Sequence, residues 1–391
     1  MKRFVTKREL TSSLVYLCPV TEMQEGSSKV FPIWNEKRAK QEIAVFNMQG
    51  NFYAISNVCV HKGGPLNQGT LEKGVVTCPW HGWKYDVRNG KSPHQGGSSV
   101  DSFKIHVIRN KLYLDSIPSK LGTSSYKPHK AYAKLRDSVT NYLSHMDKDT
   151  IIQTDNKIHV LGISTTNSND EIAPRKSTSE NSLKFALDYA KNKLGADCHM
   201  TKLRNLNFRH CEGYYSKNAK ACIFPCSISE IDKKDQMLEV YERVILWSDV
   251  VIVSTPIRWG NASSLYYQMV QRMNCVQNQS VTNQQYLIRD KVGAFIITGG
   301  QDNIQHVAGE MLTFWSLLGF VFGKFPFVGW SRGWYAEDTE NNYNSMVSDP
   351  GAQMKTDIIR TVTGAVEMSK LVRKNRYDER LFRKNNAKNA G

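Results

Sequence analysis

The first third of the chain alternates apolar and polar residues over short runs that are separated by glycine and proline. Three such runs cover residues 42–56, 74–80 and 102–116. The turns at 49–51 and 109–111 each lie between two alternating segments, which is the pattern of antiparallel hairpins. Residues 1–117 are therefore predicted to form a small all-β domain.

A different pattern of apolar and polar residues begins near residue 156. Apolar strands are predicted at 157–164, 249–256 and 291–300, helices at 180–194, 263–273, 307–319 and around 352–373, and a further apolar run at 320–330. Strands that alternate with helices in this way indicate a doubly wound parallel sheet. The fold class predicted for the whole chain is multidomain, with the all-β domain followed by an α/β doubly wound parallel-sheet domain over 156–375.

Two polar segments flank the second domain. Residues 118–155 begin as a loop, continue as a moderately helical stretch and are predicted to be a connector. Residues 376–391 are basic and polar, and we predict a frayed tail there. Few aromatic residues in this tail could stack on bases, so a nucleic-acid partner is not expected.

Composition and charge limit the class of protein. The chain has 391 residues, which suggests two or three domains at roughly 100–200 residues each. Its formal net charge of +16 favours acidic partners, although a solvated basic surface also explains it. Neither an apolar run long enough to span a membrane nor a signal-peptide core is found. We therefore expect a cytoplasmic protein, and the eight cysteines, which show no disulfide framework, fit that compartment.

Two short motifs carry two cysteines and two histidines. Cys59 and His61 lie in the first motif, and Cys78 and His81 lie in the second. Two loops that each offer one thiolate and one imidazole can place both thiolates on one iron and both imidazoles on another, which is a Rieske [2Fe–2S] arrangement. A structural zinc site is the competing interpretation. Zinc fingers usually place cysteine next to cysteine and histidine next to histidine, whereas each motif here contains one of each. We therefore predict the [2Fe–2S] cluster.

The two motifs also resemble a known family. The segments CVHKGGPL (59–66) and CPWHGWKYDVRNGK (78–91) are similar to Rieske ferredoxins and to the N-terminal domains of aromatic-ring dioxygenases. Trp83 stands where respiratory Rieske proteins have a serine that donates a hydrogen bond to the cluster. Fewer such bonds imply a low potential, roughly −150 mV. Tyr85 is assigned to packing.

Three segments of the second domain follow predicted strands, where ligands of doubly wound sheets bind. The first carries hydroxyl groups and a guanidinium that suit a phosphate dianion at a helix start. The other two contain glycines that let the backbone approach a flat ring. The candidate binding residues are Ser164, Arg175, Ser177, Thr178 and Ser179 in the first segment, Thr255, Pro256, Ile257, Arg258, Trp259 and Gly260 in the second, and Thr298, Gly299, Gly300 and Gln301 in the third.

Residues 156–375 resemble the flavodoxin-like NAD(P)H-dependent FMN reductases, including the iron–sulfur flavoproteins. The resemblance implies FMN rather than FAD, NAD(P)H as electron donor, and a homo-oligomer that buries the flavin at a subunit contact. Residues 165–173 separate Ser164 from the rest of the phosphate loop, so Ser164 matches the family's loop less closely than Arg175 does.

Iron–sulfur flavoproteins also hold a cluster on four cysteines. The corresponding stretch here has only Cys211, Cys222 and Cys226, with Tyr214 in the place of another cysteine. A [4Fe–4S] cluster normally has four thiolate ligands, so we do not expect a second cluster. Tyr214 and Tyr215 are expected instead to pack near the flavin.

These features predict a cytoplasmic NAD(P)H-dependent oxidoreductase that passes electrons between FMN and the cluster to a small-molecule or protein acceptor. FMN takes up a hydride as two electrons, and a Rieske cluster carries one electron at a time. The hydride step needs no acid or base, so no catalytic residue is nominated. Two alternatives remain open: a redox-responsive binding or sensing protein, and an FMN quinone reductase whose Rieske domain lies outside the electron path.

Overall fold

The chain forms two compact units. The first unit contains Met1–Lys127 together with Gly213–Ala221, and the second contains Pro128–Glu212 together with Cys222–Gly391. The computed structural model describes residues 14–34, 40–93, 97–146, 157–168, 177–299, 303–331 and 353–375. A short piece of the later chain therefore belongs with the first unit.

The first unit is built from short antiparallel strands. They are β1 (Leu14–Pro19), β2 (Ser28–Trp34), β3 (Lys40–Met48), β4 (Asn51–Ser56), β5 (Thr70–Glu72), β6 (Val75–Thr77), β7 (Lys84–Asp86), β8 (Ser102–Phe103), β9 (Ile105–Ile108) and β10 (Lys111–Asp115). They pair in the orders β1-β10-β9, β2-β3-β4-β8 and β5-β6-β7. The described part of this unit is thus the small all-β domain that the alternating runs predict.

Two tight turns set the strand register. Gln49 and Gly50 have φ of 53° and 76°, and Arg109 and Asn110 have φ of 48° and 62°. Positive φ at both central residues gives the two-residue turn whose twist matches antiparallel strands. β3 pairs with β4 across the first turn, and β9 pairs with β10 across the second. Both predicted hairpins are present.

Strand β3 carries hydrophobic side chains on both faces, because successive side chains of a strand point to opposite sides. Ile43 and Val45 pack into one core, among residues of β1 and β10. Ala44 and Phe46 pack into a second core, which contains Cys59 of the first predicted motif. The loops that carry the predicted metal ligands therefore pack on one face of a strand whose other face is also buried.

The second unit is built on a parallel sheet. Its strands are β11 (His159–Ser164), β12 (Asp197–Lys202), β13 (Val250–Pro256), β14 (Val292–Gly299) and β15 (Val321–Ser331). Their order is β12-β11-β13-β14-β15, and every neighbouring pair is parallel. This order, 2-1-3-4-5 in the sheet's own sequence, is that of flavodoxin-like folds. The doubly wound prediction is confirmed.

Helices cover this sheet. In chain order, the helices of the described residues are α1 (Lys130–Met146), α2 (Thr178–Leu194), α3 (Tyr214–Lys217), α4 (Ser227–Ile231), α5 (Met237–Tyr241), α6 (Ser264–Thr282), α7 (Ile304–Leu318) and α8 (Gln353–Asn375). Of these, α3 lies within the part of the chain that belongs to the first unit. Leu183 of α2 and Ile358 of α8 share a core with Val160 and Ile252 of the sheet. Burial of both sheet faces explains why these strands are continuous apolar runs.

The range of the predicted connector, 118–155, is divided between the two units. Residues 118–127 belong to the first unit, where the N–H of Ser119 donates to Ser102 and the N–H of Thr123 donates to Ser99. Helix α1 belongs to the second unit. The limits 1–117, 118–155 and 156–375 thus do not coincide with the two units. The tail at 376–391 lies outside the described residues.

Strand β12 was not predicted from the sequence. Its six residues, DCHMTK, contain few apolar side chains, because it lies at the edge of the sheet. Within the described ranges, no helix combines the length and the apolar character needed to cross a membrane.

Candidate functional site

The two Cys/His motifs form two loops of the same design. The first follows β4, and the second joins β6 to β7. The N–H of Gly63 donates to the carbonyl of Cys59 at 2.9 Å. The N–H of Gly82 donates to the carbonyl of Cys78 at 3.0 Å. Both glycines have positive φ, 81° and 71°, which lets each loop turn back directly after its cysteine and histidine.

The four predicted ligands converge in the first unit. Nδ1 of His61 lies 3.2 Å from Nδ1 of His81. The thiols of Cys59 and Cys78 share a hydrogen bond. A Cβ at Gly64 would lie only 2.7 Å from Sγ of Cys78, so this glycine is needed for the close approach. The loops therefore present two sulfurs and two nitrogens to one small region.

The donors are arranged as two pairs. Among the described residues, no group of three or more His, Cys, Asp or Glu side chains gathers around a single metal-ion position. The ligands form instead a thiol pair and an imidazole pair, as in a two-iron cluster with two ligands on each iron. This donor set fits a Rieske cluster, with Cys59 and Cys78 on one iron and His61 and His81 on the other.

The sulfur atoms receive several hydrogen bonds. Backbone N–H groups of Trp80 and His81 donate to Cys78, and the N–H of His61 donates to Cys59. The hydrogen bond from Cys78 outweighs burial and lowers the pKa of Cys59 to about 6. The backbone N–H groups favour the thiolate form that binds iron, whereas the hydrogen bond with Cys59 and burial raise the pKa of Cys78.

Tyr85 does more than pack. Its side chain is fully buried, and its hydroxyl lies 3.2 Å from Sγ of Cys59. Burial raises the pKa of Tyr85, so the hydroxyl keeps its proton and can donate to a thiolate. The expected packing of Tyr85 is confirmed, and its contact with Cys59 is additional, because periodicity does not show where a buried hydroxyl points.

The two histidines lie in different surroundings. The ring of His61 stacks on Trp83, with centroids 4.7 Å apart and planes at 10°. Nε2 of His81 lies 2.8 Å from the carbonyl oxygen of Ala221, and the ring meets Tyr214 edge-on at 4.9 Å. Sequence reasoning missed Ala221 and Tyr214 at this site. Tyr214 belongs to the first unit, and its expected packing near the flavin stays a prediction.

The predicted flavin segments meet at one edge of the parallel sheet. β11, β13 and β14 are neighbours, so their carboxyl ends lie side by side. The N–H of Ile257 donates to the carbonyl of Thr298 at 2.7 Å, which joins the second segment to the third. Nδ2 of Asn167 donates to Ser264 at 3.1 Å, which joins the loop after β11 to the start of α6. The described residues of all three segments therefore line one edge.

The phosphate segment opens helix α2. The hydroxyl of Ser177 accepts from the N–H of Glu180 as the N-cap and lies 3.1 Å from the hydroxyl of Ser179. Thr178 and Ser179 are buried in the first turn. Residues 169–176 and 300–302, which include the candidates Arg175, Gly300 and Gln301, lie outside the described residues.

A buried carboxylate lies under the phosphate segment. Glu180 is fully buried, forms ion pairs with Arg204 and with Lys202 at 2.8 Å, and accepts from the hydroxyl of Ser164 at 3.2 Å. Burial alone would raise the pKa of Glu180, but the hydrogen bonds from Arg204 and Lys202 lower it to about 2. The hydroxyl of Ser164 thus donates a hydrogen bond to a buried carboxylate. Glu180 was not singled out from the sequence, since nothing near it signals its distant cations.

A tight turn presents Trp259. Arg258 and Asn261 exchange both backbone hydrogen bonds, at 2.7 and 3.0 Å, around Trp259 and Gly260. These central residues have φ of 51° and 72°. The turn leaves the indole 96% exposed, whereas Ile257 just before it is buried. A Cβ at Gly299 would lie 2.7 Å from Cβ of Ile257, so Gly299 permits the second and third segments to touch.

Comparison with known proteins finds a different family in each half of the chain. A family model for the Rieske [2Fe-2S] domain matches residues 13–103, and a model for NADPH-dependent FMN reductase matches residues 158–334.

Similar proteins cover only parts of the chain. Apoptosis-inducing factor 3 of Homo sapiens is 26% identical over 130 residues, which are 33% of this chain and 20% of that protein. The 3-phenylpropionate/cinnamic acid dioxygenase ferredoxin subunit of Escherichia coli (strain K12) is 28% identical over 103 residues, which are 26% of this chain and 92% of that protein. The crystal structure of RosB with a bound 8-demethyl-8-formylriboflavin-5′-phosphate intermediate covers 60% of this chain and 88% of its own, with 16% identity and a TM-score of 0.46.

The family matches and the fold together settle what the chain contains. A Rieske domain implies a [2Fe–2S] cluster, and an FMN reductase domain implies FMN with NAD(P)H as donor. The chain therefore joins a Rieske [2Fe–2S] domain, over residues 13–103, to an NADPH-dependent FMN reductase domain, over residues 158–334.

Proposed function

We propose that this protein is an NAD(P)H-dependent oxidoreductase that passes electrons from FMN to the Rieske cluster and on to an acceptor. The observation that carries the proposal is that one chain brings two thiols and two imidazoles together and also has a flavodoxin-type sheet edge. FMN, when bound, accepts a hydride as two electrons, and the cluster carries one electron at a time. Joining the two converts a two-electron donor into one-electron output.

At the cluster, the chain supplies the ligands Cys59, His61, Cys78 and His81. The matching loop turns hold each cysteine and its histidine on one side of the loop. Cys59, Cys78 and His81 are buried, and His81 is only 5% exposed. Their burial keeps water from most of the site. Such a site changes oxidation state with little rearrangement, which suits electron transfer rather than substrate chemistry.

At the flavin, we assign the phosphate to the start of helix α2. Ser177, Thr178 and Ser179 lie there, and Arg175 precedes them in the sequence. A helix N-terminus with hydroxyl groups and a guanidinium is a good site for a phosphate dianion.

The remaining candidates are assigned to the isoalloxazine ring. The backbone of the second and third segments can hydrogen-bond its polar edge, and the exposed turn at Trp259 can cover it. The assigned residues are Ser164, Thr255, Pro256, Ile257, Arg258, Trp259, Gly260, Thr298, Gly299, Gly300 and Gln301. Flavin binding at a contact between two copies of the chain is part of this assignment.

The acceptor is proposed to be a small molecule or a protein, and an acidic protein is favoured. The formal net charge of +16 would attract such a partner. Similarity to the ferredoxin subunit of a dioxygenase supports a protein acceptor. We place the reaction in the cytoplasm, as the cysteine pattern of the sequence predicts.

Replacement of a cluster ligand tests the proposal. Cys78→Ser should abolish one-electron reduction of an added cytochrome, because it removes a thiolate from the only path proposed for single electrons. Flavin reduction by NADPH should continue at a similar rate, since the flavin segments lie in the second unit. Cytochrome reduction and anaerobic flavin bleaching are measured on the same preparation.

Cys18→Ser is the matched control. Cys18 is also a buried thiol of the first unit, but it packs in the core on the other face of β3. Cytochrome reduction at the wild-type rate by Cys78→Ser would put the cluster outside the electron path and favour the quinone-reductase alternative. Failure of NADH and NADPH to reduce the flavin of the wild type would favour a sensing protein.

A further inference from the structure

Residues Gly213–Ala221 form a distinct part of the Rieske site. This segment, called the histidine cap below, lies between β12 and β13 in the sequence, inside the range 158–334 that matches the FMN reductase family. It nevertheless clusters with the first unit. Ala221 is fully buried in the core that contains Cys59 and Cys78, and Tyr214 packs against that core. The first unit is thus completed by a piece of chain from the second family's sequence.

The contact between the histidine cap and His81 is specific. Nε2 of His81 lies 2.8 Å from the carbonyl oxygen of Ala221, and both atoms are buried. A carbonyl can only accept, so Nε2 carries the hydrogen. Nδ1, which faces His61 at 3.2 Å, is therefore left with its lone pair. This is the tautomer that a metal-binding Nδ1 requires.

Two further contacts hold the histidine cap in place. The ring of Tyr214 meets His81 edge-on, at 4.9 Å and 81°, which is a favourable aromatic geometry. Within the cap, the N–H of Ala221 donates to the carbonyl of Asn218 at 2.9 Å. These two contacts and the burial of Ala221 hold its carbonyl at His81.

We propose that the Ala221 carbonyl is a positioning group for the ligand His81, and that the histidine cap sets the reduction potential of the cluster. The proposal deepens the proposed function at its cluster end and rests on the Rieske domain rather than on electron flow from FMN.

The physical reason lies in the charge on the ligand. A carbonyl that accepts from Nε2–H makes the imidazole more basic and fixes its orientation. A more basic ligand stabilises the more highly charged iron of the oxidised state, so this hydrogen bond lowers the potential. The cap also covers the Nε2 edge of His81. An electron acceptor from outside the chain therefore cannot contact this edge of the ring.

The test is Ala221→Leu in the full-length protein. A leucine side chain does not fit at a fully buried alanine, so the backbone carbonyl must shift away from His81. We expect the cluster to become easier to reduce by about tenfold in equilibrium constant, which is about 59 mV for a one-electron couple. Pulsed electron paramagnetic resonance should show a change in the coupling of one histidine nitrogen and not of the other.

Two more variants keep the test decisive. Tyr214→Ala removes the ring that holds the cap and should shift the potential in the same direction by a smaller amount. Tyr215→Ala is the control, because Tyr215 is 48% exposed in the same short helix and should change neither readout. An unchanged potential and unchanged couplings in both Ala221→Leu and Tyr214→Ala, with the cluster retained, would overturn the proposal.

Chemical reduction with dithionite keeps this test separate from the proposed function. It needs neither NADPH nor FMN, so a protein that fails to transfer electrons from flavin to cluster would still report the effect of the cap.

Discussion

At the scale of single residues, the contact of Tyr85 with Cys59 bears on the cluster potential. Sequence comparison predicts a low potential, because Trp83 replaces a hydrogen-bonding serine. The structure keeps one side-chain hydroxyl at a sulfur, that of Tyr85, 3.2 Å from Sγ of Cys59. The potential expected for this site therefore depends on how much that one hydroxyl contributes.

Tyr85→Phe should lower the potential of the cluster. The variant keeps the buried ring and removes only the hydroxyl, so the reduced cluster loses one stabilising hydrogen bond. A net hydrogen bond is worth about 0.5–1.5 kcal/mol, which corresponds to a shift of about 20–60 mV for one electron. A redox titration followed by electron paramagnetic resonance measures it.

Tyr113→Phe provides the comparison. Tyr113 lies on β10 and packs against Tyr16, away from both loops. An equal shift in both variants, or a rise in the potential of Tyr85→Phe, would show that the hydroxyl of Tyr85 does not stabilise the reduced cluster.

At the scale of elements, Glu180 connects helix α2 to the edge strand. Its carboxylate, in the first turn of α2, pairs with Lys202 at the end of β12 and with Arg204 just after it. Breaking a buried ion pair by removing one partner is costly, because the remaining charge is left without compensation. The start of α2, where we place the flavin phosphate, thus depends on a buried carboxylate that is paired with two cations.

Glu180→Gln should lower the free energy of unfolding of the second unit by about 3 kcal/mol. The folded-state pKa of Glu180, about 2, lies below its ordinary value of 4.5. The stability it contributes is therefore fully present above pH 4.5 and is lost as the pH falls toward 2. Urea unfolding followed by the helical circular dichroism signal measures this, since the long helices lie in the second unit.

Glu367→Gln is the control for this prediction. Glu367 lies on α8 and pairs with Lys370 on the exposed surface, where an ion pair contributes little. The gap between Glu180→Gln and the wild type should narrow as the pH falls from 4.5 toward 2. A gap that stays constant over this range would mean that the carboxylate charge is not what stabilises the unit.

Elements were predictable where their signal is local. The strands β11, β13 and β14 are buried on both faces and appear in the sequence as apolar runs. β12 has no such run, because an edge strand has fewer neighbours to bury it. The pairing of Glu180 with Lys202 and Arg204 joins residues of different elements, 24 positions apart for Arg204, so no local pattern reveals it.

At the scale of the whole molecule, each of the two compact units is made of two separate stretches of the chain. The four candidate ligands could be named from the sequence because each loop carries its cysteine and histidine within a few positions. The hydrogen-bond partner of His81 could not be predicted from the sequence. Ala221 follows His81 by 140 positions and contributes only a backbone carbonyl, which any residue has. Long-range backbone contacts leave no signal in composition or periodicity.

Anaerobic stopped-flow absorbance of the wild-type protein mixed with NADPH tests the central claim most directly. We predict that the flavin band bleaches first, and that the cluster band follows in a second phase whose rate does not depend on NADPH concentration. That order follows if electrons enter at FMN and pass within the chain to the Rieske cluster. A cluster that stays oxidised while the flavin remains fully reduced through many turnovers would contradict the account.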